Sequence, residues 1–239
     1  MITSIFFHPI ISSAAAGSAS EQSQILQIWE NVKSRHCREI LMIICQIAGF
    51  LGSGKTTLLI KLGTTLSARG KRVAIIVNEV GEVGVDGSVI DSSGLKSVEL
   101  AEGCICCSLS GSLQHTLRQI TTEYHPDLII IEPTGIAFPT KIVQLVRTAM
   151  VGEDKMITIS LIDAFRAVKL FKEAELFVSR QIAGADIVAV NKIDAVDENT
   201  IDETEKIVKK VNKDAQLVLI SAKNGDGVEQ LINILEESA

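Results

Sequence analysis

Short runs of apolar residues alternate with longer stretches of helical periodicity from Met42 to the end of the chain. The apolar runs are rich in Ile and Val and have the length of buried strands. They fall at Ile43–Ala48, Arg72–Asn78, Ser97–Leu100, Leu128–Glu132, Met156–Ile162, Ile187–Asn191 and Leu217–Ser221. The helical stretches are Lys55–Arg69, Ser112–Glu123, Lys141–Met150, Phe165–Ala183, Ile201–Val211 and Gly227–Glu236. This alternation predicts one α/β domain with a doubly wound, mostly parallel sheet.

Residues 1–41 differ from the rest of the chain, and we treat them as an N-terminal extension to a domain at 42–239. The first apolar patch is interrupted and lacks the basic region that a secretory signal needs. The stretch that follows has apolar residues near helical spacing. Three alternatives stay open: a helix docked on the domain, a mobile extension, or residues upstream of a true start at Met42.

Composition and charge exclude several classes of function. The net charge is −6, and no basic stretch is interleaved with aromatic residues, so we expect no nucleic-acid partner. No apolar run approaches the roughly 20 residues that span a bilayer, so we expect no membrane partner. The chain has five cysteines, an odd number, and three of them are clustered, which argues for reduced thiols in a cytoplasmic protein rather than for disulfides.

A glycine-rich segment follows the first predicted strand and precedes the first predicted helix. Residues 49–56, Gly-Phe-Leu-Gly-Ser-Gly-Lys-Thr, match the phosphate-binding pattern G-x-x-x-x-G-K-[ST] at every fixed position. The glycines let successive N–H groups face a β-phosphate, Lys55 bridges the β- and γ-phosphates, and Thr56 is a Mg²⁺ ligand. The predicted nucleotide-binding residues of this segment are Gly49, Gly52, Ser53, Gly54, Lys55, Thr56 and Thr57.

The fourth predicted strand is apolar and ends in an acidic residue, in the segment Asp127–Glu132. A carboxylate at the carboxyl end of such a strand faces the Mg²⁺ shell of a phosphate site, so we assign Glu132 to that shell and, with Lys55, to catalysis. Thr134 and Gly135 would form the turn beside the γ-phosphate. The alternative for Glu132 is a solvated residue at the edge of the sheet.

Two further segments favour guanine over adenine. Asn191-Lys192-Ile-Asp194 follows a predicted strand, and the Asp194 carboxylate can accept both the N1–H and the exocyclic amine of guanine. Lys192 would pack its stem on the base, while Asn191 would tie the loops together. About thirty residues later, Ser221-Ala222-Lys223 also follows a strand, where backbone N–H groups can donate to guanine O6. GTP is therefore the predicted nucleotide.

Three thiols lie within four residues, at Cys104, Cys106 and Cys107. Thiolates at this spacing can chelate a soft or borderline ion such as Zn²⁺, and Glu82, a histidine, water or a partner's residue would complete the site. Three ligands with an open position suit a site that loads and releases metal. A redox switch and buried, inert cysteines are the alternatives.

Five segments in order resemble the CobW-type metallochaperone GTPases, relatives of HypB, UreG and MeaB, over about Ile43 to Leu235. They are residues 49–57, 78–86, 103–107, 132–135 and 191–194. The resemblance implies a P-loop NTPase fold of the SIMIBI class and Mg²⁺-dependent GTP hydrolysis coupled to delivery of zinc, cobalt or nickel. It also implies a first switch at Asn78–Asp86, with Glu82 a ligand to a metal or in the magnesium shell and Asp86 a catalytic, water-positioning residue. For both carboxylates, a solvated loop position is the alternative.

The implied partners are a client metalloprotein or a cofactor-biosynthesis enzyme, and a homodimer is the expected assembly of relatives. We expect a short form, because the chain stops where typical CobW-type proteins continue into a C-terminal domain. Pro133 also replaces a common threonine and should stiffen its turn. One rival hypothesis is a GTPase chaperone of a corrinoid (cobalamin-type) enzyme, with redox or structural cysteines. Another is a nucleotide-dependent docking module without catalysis.

Overall fold

The computed structural model of the protein describes residues 42–77, 96–99 and 108–238. These residues form seven strands, six α-helices and one short 3₁₀ helix, Ile193–Ala195. In chain order the strands and α-helices are β1 (Ile43–Gly49), α1 (Lys55–Ala68), β2 (Val73–Val77), β3 (Lys96–Glu99), α2 (Ser108–Tyr124), β4 (Leu128–Glu132), α3 (Pro139–Ala149), β5 (Lys155–Asp163), α4 (Ala164–Ile182), β6 (Ile187–Asn191), α5 (Glu198–Val211), β7 (Gln216–Ile220) and α6 (Val228–Glu237).

The seven described strands form one sheet in the order β3-β2-β4-β1-β5-β6-β7. Every pair of neighbours is parallel, so the predicted doubly wound α/β fold is confirmed. From the central strand β1 the chain moves first to one side of the sheet and later to the other. A crevice outside the carboxyl ends of the strands opens where such a reversal occurs, and ligands bind there in open α/β sheets.

Helices cover both faces of the sheet, which explains why the strands are almost entirely apolar. Leu58 and Leu62 of α1 pack with Leu231 of α6 on one face. On the other face, Leu117 of α2 packs beneath one half of the sheet, and Ile182 of α4 packs beneath the other half. Side chains alternate between these layers along β1, so both sides of the central strand are buried.

The helix boundaries differ from the predicted ones where capping residues precede the apolar pattern. The carboxylate of Asp197 accepts the Thr200 N–H, so α5 begins three residues before its predicted start at Ile201. The long predicted helix Phe165–Ala183 bends at Ala174, whose φ of −143° and ψ of 45° are not helical. Within the described ranges, none of the helices combines the length and apolar content that crossing a bilayer requires.

Candidate nucleotide-binding site

The loop between β1 and α1 has a backbone that glycine alone adopts easily at three positions. Gly49, Gly52 and Gly54 have φ values of 144°, 72° and 98°. A Cβ at Gly49 would lie 2.6 Å from the Leu161 carbonyl oxygen, and a Cβ at Gly54 would overlap the Asn191 amide nitrogen. Gly49 and Gly54 are therefore required by the space around the loop as well as by its curvature, and Gly52 by the curvature.

The amino end of α1 combines a buried cation with an unsatisfied hydroxyl group. The Lys55 side chain is buried, and its Nζ donates to the Phe50 carbonyl at 3.1 Å. Burial lowers the pKa of Lys55, and the charge of Glu132 acts in the opposite direction. Ser53 is fully buried, and its Oγ has no hydrogen-bond partner in the described part of the chain. Together with the helix N-terminus, these groups suit the binding of an anion.

Thr56 and Glu132 meet at the carboxyl end of the central strands. Thr56 Oγ1 donates to the carboxylate, 2.9 Å from Oε1 and 3.1 Å from Oε2. Burial raises the pKa of Glu132, although the Thr56 hydrogen bond and the charge of Lys55 oppose the rise. A hydroxyl and a carboxylate that already converge are an oxygen-only set of the kind that binds Mg²⁺. Thr57, the next residue of α1, is exposed.

The turn after β4 packs against the loop at residues 49–56, called the phosphate loop below. A Cβ at Gly135 would lie 2.7 Å from the backbone nitrogen of Leu51, so this position also needs glycine. The Thr134 carbonyl accepts the Ala137 N–H at 3.0 Å, which closes the turn. The backbone of Thr134 and Gly135 therefore lies beside the loop.

Asn191 bridges two loops of the site. Its Nδ2 donates to the Ser53 carbonyl at 2.7 Å, and its Oδ1 accepts the Ala222 N–H at 2.8 Å. The next residue, Lys192, has a φ of 67°, and its Nζ donates to the Gly52 carbonyl at 2.8 Å. Both residues thus connect the end of β6 to the phosphate loop.

Asp194 and Lys223 are both exposed beside this bridge. The Asp194 carboxylate forms no hydrogen bond or ion pair with any other described residue. Ser221 is buried, and its Oγ accepts the Asn224 N–H at 3.1 Å. The Ala222 N–H donates to Asn191, and the Ser221 N–H donates to the Asp226 carbonyl. Of the three backbone amides at residues 221–223, that of Lys223 is therefore the one left to donate to a guanine O6.

Asp163 is a residue of this edge that the sequence analysis missed. It ends β5, and its side chain is only 2% exposed. Its Oδ1 accepts the Phe165 N–H at 3.0 Å, while its Oδ2 accepts Arg166 Nε at 2.7 Å and Lys192 Nζ at 2.8 Å. The available signal was an apolar strand that ends in an acid, the same signal that identified Glu132.

Lys61 was also missed, and it holds the loop after β7. Its Nζ donates to the carbonyl groups of Ala222 and Lys223 at 3.1 and 3.0 Å. Lys61 lies on α1, far from this loop along the chain, so no local pattern in the sequence marks the contact. It adds a third connection between the elements on which the candidate site is built.

The predicted transition-metal ligands Cys104, Cys106, Cys107 and Glu82 lie outside the described residues, as does Asp86. Their roles, and the interpretation of residues 1–41, stay predictions. Within the described ranges, no three His, Cys, Asp or Glu side chains are grouped so as to hold a metal ion. Cys45 lies in the core, where burial and the charge of Asp186 raise the pKa of its thiol to about 12.

Three features together define a P-loop nucleoside triphosphatase. They are a parallel sheet, a loop with three glycines at positive φ, and a lysine at the start of the next helix. The family model for the CobW/HypB/UreG nucleotide-binding domain matches residues 43–219. The chain belongs to this family of P-loop GTPases, as its motifs predicted.

Two relatives support this assignment. The zinc chaperone YeiR of Escherichia coli is 35% identical over 167 residues, which are 69% of this chain and 49% of that protein. The zinc chaperone CobW of Sinorhizobium sp is 31% identical over 211 residues, 75% of this chain and 58% of that protein. The chain thus spans about half the length of the curated relatives it matches.

A solved structure, the hydrogenase maturation factor HypB of Archaeoglobus fulgidus, shares the fold. Its TM-score is 0.64 at 19% sequence identity, and the matched region is 84% of this chain and 92% of the HypB chain. A likeness at this level of identity supports the architecture of the domain alone.

Proposed function

We propose that the protein is a GTP-hydrolysing metallochaperone that delivers a transition metal to a client metalloprotein or cofactor-biosynthesis enzyme in the cytoplasm. Zinc is the first candidate because two relatives are named zinc chaperones, and cobalt and nickel are the others. The observation that carries the nucleotide part of the proposal is the convergence of Lys55, Thr56 and Glu132 on one glycine loop.

Mg²⁺ would be held by the Thr56 hydroxyl, with Glu132 in its shell. These oxygens already lie 2.9 Å apart, and their chemistry fits the ion. Bound there, Mg²⁺ supplies positive charge that offsets the charge developing on the β- and γ-phosphates. Glu132 must be ionised for this role, and a cation nearby opposes the rise that burial causes in its pKa.

Lys55 would leave the Phe50 carbonyl and bind the β- and γ-phosphate oxygens. Its pKa is lowered by burial, so the approach of an anion favours its charged form and strengthens the contact. Hydrolysis then proceeds by in-line attack of water on the γ-phosphorus, with cleavage of the bond to the bridging oxygen and departure of GDP. The family resemblance assigns the positioning of that water to Asp86.

Guanine would be recognised by an exposed carboxylate and one backbone amide. Asp194 can accept the N1–H and the exocyclic amine, while the Lys223 N–H can donate to O6. The Lys192 stem would flank the base while its Nζ stays near the Gly52 carbonyl. Adenine presents the opposite pattern of donors and acceptors, so the same groups would reject it.

The metal cargo would bind the thiolates of Cys104, Cys106 and Cys107, with Glu82 as a further ligand. We propose that GTP orders Asn78–Asp86 through its γ-phosphate and that hydrolysis releases this segment. Metal affinity would then differ between the two nucleotide states, which is the physical requirement for directed delivery.

Zinc affinity measured anaerobically with a coloured chelator tests this proposal. The full chain is loaded with GDP or with a non-hydrolysable GTP analogue, and phosphate release from GTP is followed separately. We expect measurable GTP turnover and at least about tenfold different zinc affinities in the two states. Cys106→Ser should remove zinc binding and leave GDP binding intact. Equal affinities in both states would contradict metal delivery and leave a GTPase without that coupling.

A further inference from the structure

Three successive carbonyl groups of the phosphate loop are held by side chains from outside the loop. The bonds run from Arg166 Nη2 to Leu51 O at 2.8 Å, from Lys192 Nζ to Gly52 O at 2.8 Å, and from Asn191 Nδ2 to Ser53 O at 2.7 Å. In a trans peptide, the C=O group and the following N–H group point in opposite directions. A carbonyl held on the outer side therefore turns the next N–H group toward the inner side.

Two of these three donors are held by a single carboxylate. Asp163 Oδ2 accepts Arg166 Nε at 2.7 Å and Lys192 Nζ at 2.8 Å. Asp163 is 2% exposed at its side chain, whereas the two cations are 39% and 38% exposed. The buried acid thus fixes two flexible cations that would otherwise sample many positions in solvent.

We propose that Asp163 and Arg166 are positioning residues for nucleotide binding. Asp163 holds Arg166 and Lys192 against the loop. The held Leu51 and Ser53 carbonyl groups aim the N–H groups of Gly52 and Gly54 at the β-phosphate. The Ser53 N–H, which follows the held Gly52 carbonyl, donates to the Phe50 carbonyl at 3.1 Å and so fixes the curvature of the loop. The inference rests on the proposed function, because it requires that the loop binds a guanine nucleotide. Since Lys192 also belongs to the guanine motif, the same carboxylate connects the base subsite to the phosphate subsite.

Two substitutions separate the parts of this arrangement. Arg166→Ala removes one clamp and leaves Lys192, Asn191 and the base-binding groups in place. Asp163→Asn keeps the size of the side chain and an oxygen that can accept the Phe165 N–H, but it removes the charge that holds both cations. We expect GDP affinity to fall about fivefold in the first variant and at least about tenfold in the second.

The experiment measures the dissociation constants of GDP and inosine diphosphate by calorimetry on the full chain with Mg²⁺. Inosine diphosphate has the same phosphates but lacks the exocyclic amine. Arg166→Ala should weaken both ligands by the same factor, so that their ratio stays at the wild-type value. Asp194→Asn should instead change that ratio, because it alters the base subsite. A general loss of structure would not separate the two variants in this way.

Arg69→Ala is the matched control. Arg69 also lies on a helix and also binds carboxylates, those of Glu229 and Glu236, but it contacts no residue of the loop. Its GDP affinity should equal that of the wild type. The inference is overturned if folded Arg166→Ala binds GDP as tightly as the wild type, or if its ratio of GDP to inosine diphosphate affinity changes.

Unfolding temperatures without nucleotide show which variants are folded. If Asp163→Asn does not fold, the Arg166→Ala and Arg69→Ala pair still decides the outcome. Failure of the wild-type chain itself to bind either diphosphate would overturn the proposed function and this inference together. Normal wild-type binding with unaffected variants would overturn the inference alone.

Discussion

The strands of the parallel sheet begin at one edge, here called the amino edge, and end at the other, the carboxyl edge. Both edges carry acidic residues, but these residues have different roles. At the amino edge, an aspartate precedes each of three strands: Asp127, Asp154 and Asp186. The carboxylate of each accepts, at 2.7 Å, a backbone N–H from a neighbouring strand or from the residue just before that strand. At the carboxyl edge, Glu132 and Asp163 end strands and accept from side chains. The first set closes the ends of the sheet, whereas the second holds loops and cations around an anion site.

Strand β4 shows the contrast within a few residues. Asp127 lies just before it and pairs with the side chain and the N–H of Arg72, whereas Glu132 ends it beside Thr56. Both were part of one sequence motif. Because the strands are parallel, their carboxyl ends share one edge, and only an acid at that edge can reach the phosphate loop.

The largest effect should come from removing the cation at the carboxyl edge. Lys55→Ala should slow GTP hydrolysis at least about 100-fold, because the charge that faces the transferred phosphoryl group is lost. Steady-state phosphate release under saturating GTP measures this. The unfolding temperature without nucleotide should stay near the wild-type value, since burial of this cation already disfavours its charged form.

Lys209→Ala serves as the control for this change. Lys209 is exposed on α5 and pairs with Glu205, away from the described loop residues. Its rate of hydrolysis should match that of the wild type. A comparable loss of rate in both variants would mean that Lys55 has no special role.

A glycine at each edge gives the next comparison. Gly54→Ala forces a side chain onto φ 98° and into the Asn191 amide, so it should cost about 2–3 kcal/mol of unfolding free energy and weaken GDP at least about tenfold. Gly70→Ala, at φ 86° with no atom within 4 Å, should cost about 1 kcal/mol and leave GDP binding unchanged. Urea unfolding and calorimetry measure the two quantities.

These two variants share a positive φ, so the difference between them isolates the crowding at the carboxyl edge. Equal losses of stability together with equal GDP affinities would show that crowding against Asn191 contributes nothing. A loss of GDP affinity in Gly70→Ala would contradict the prediction that only the carboxyl edge takes part in nucleotide binding.

The smallest effect is expected at Asp127. Burial tends to raise its pKa, but hydrogen bonds and charge from Arg72 and the charge of Lys71 lower it overall. Its ion pair therefore stabilises the fold above the ordinary aspartate pKa of about 3.9 and is lost as the pH falls through the folded-state value. Asp127→Asn should cost about 1 kcal/mol at neutral pH after allowance for solvent screening.

Urea unfolding as a function of pH checks this prediction. The stability curves of the wild type and Asp127→Asn should converge in the acid range, and their GDP affinities should agree at pH 7. A constant difference at all pH values would assign the effect to the shape of the side chain rather than to its charge.

Most of the fold was predictable because both faces of the sheet are covered. The strands are then continuous apolar runs, and the predicted bounds of β1 and β4 differ from the observed ones by at most one residue. The phosphate loop was predictable because its chemistry requires glycine and lysine at fixed spacing. The contacts of Arg166 with Leu51, Lys192 with Asp163 and Lys61 with Ala222 were not, since they join residues far apart along the chain and leave no local pattern.

Two local features of the helices were not predicted from the sequence, for a different reason. The start of α5 depends on a cap at Asp197, which precedes the first apolar residue that periodicity detects. The bend at Ala174 lies in a stretch with helical spacing on both sides, where Phe177 packs on Phe50 of the phosphate loop and on Phe138. Periodicity describes which face is buried, and it does not show where the axis changes direction.

Guanine-specific nucleotide binding can be measured by calorimetric titration of the full chain with GDP and with ADP, each with Mg²⁺. We expect GDP to bind in a one-to-one complex and ADP to bind at least about 100-fold more weakly, because the groups at Asp194 and Lys223 suit guanine. Equal affinities for the two diphosphates, or no heat of binding with either at millimolar concentration, would contradict guanine-specific binding.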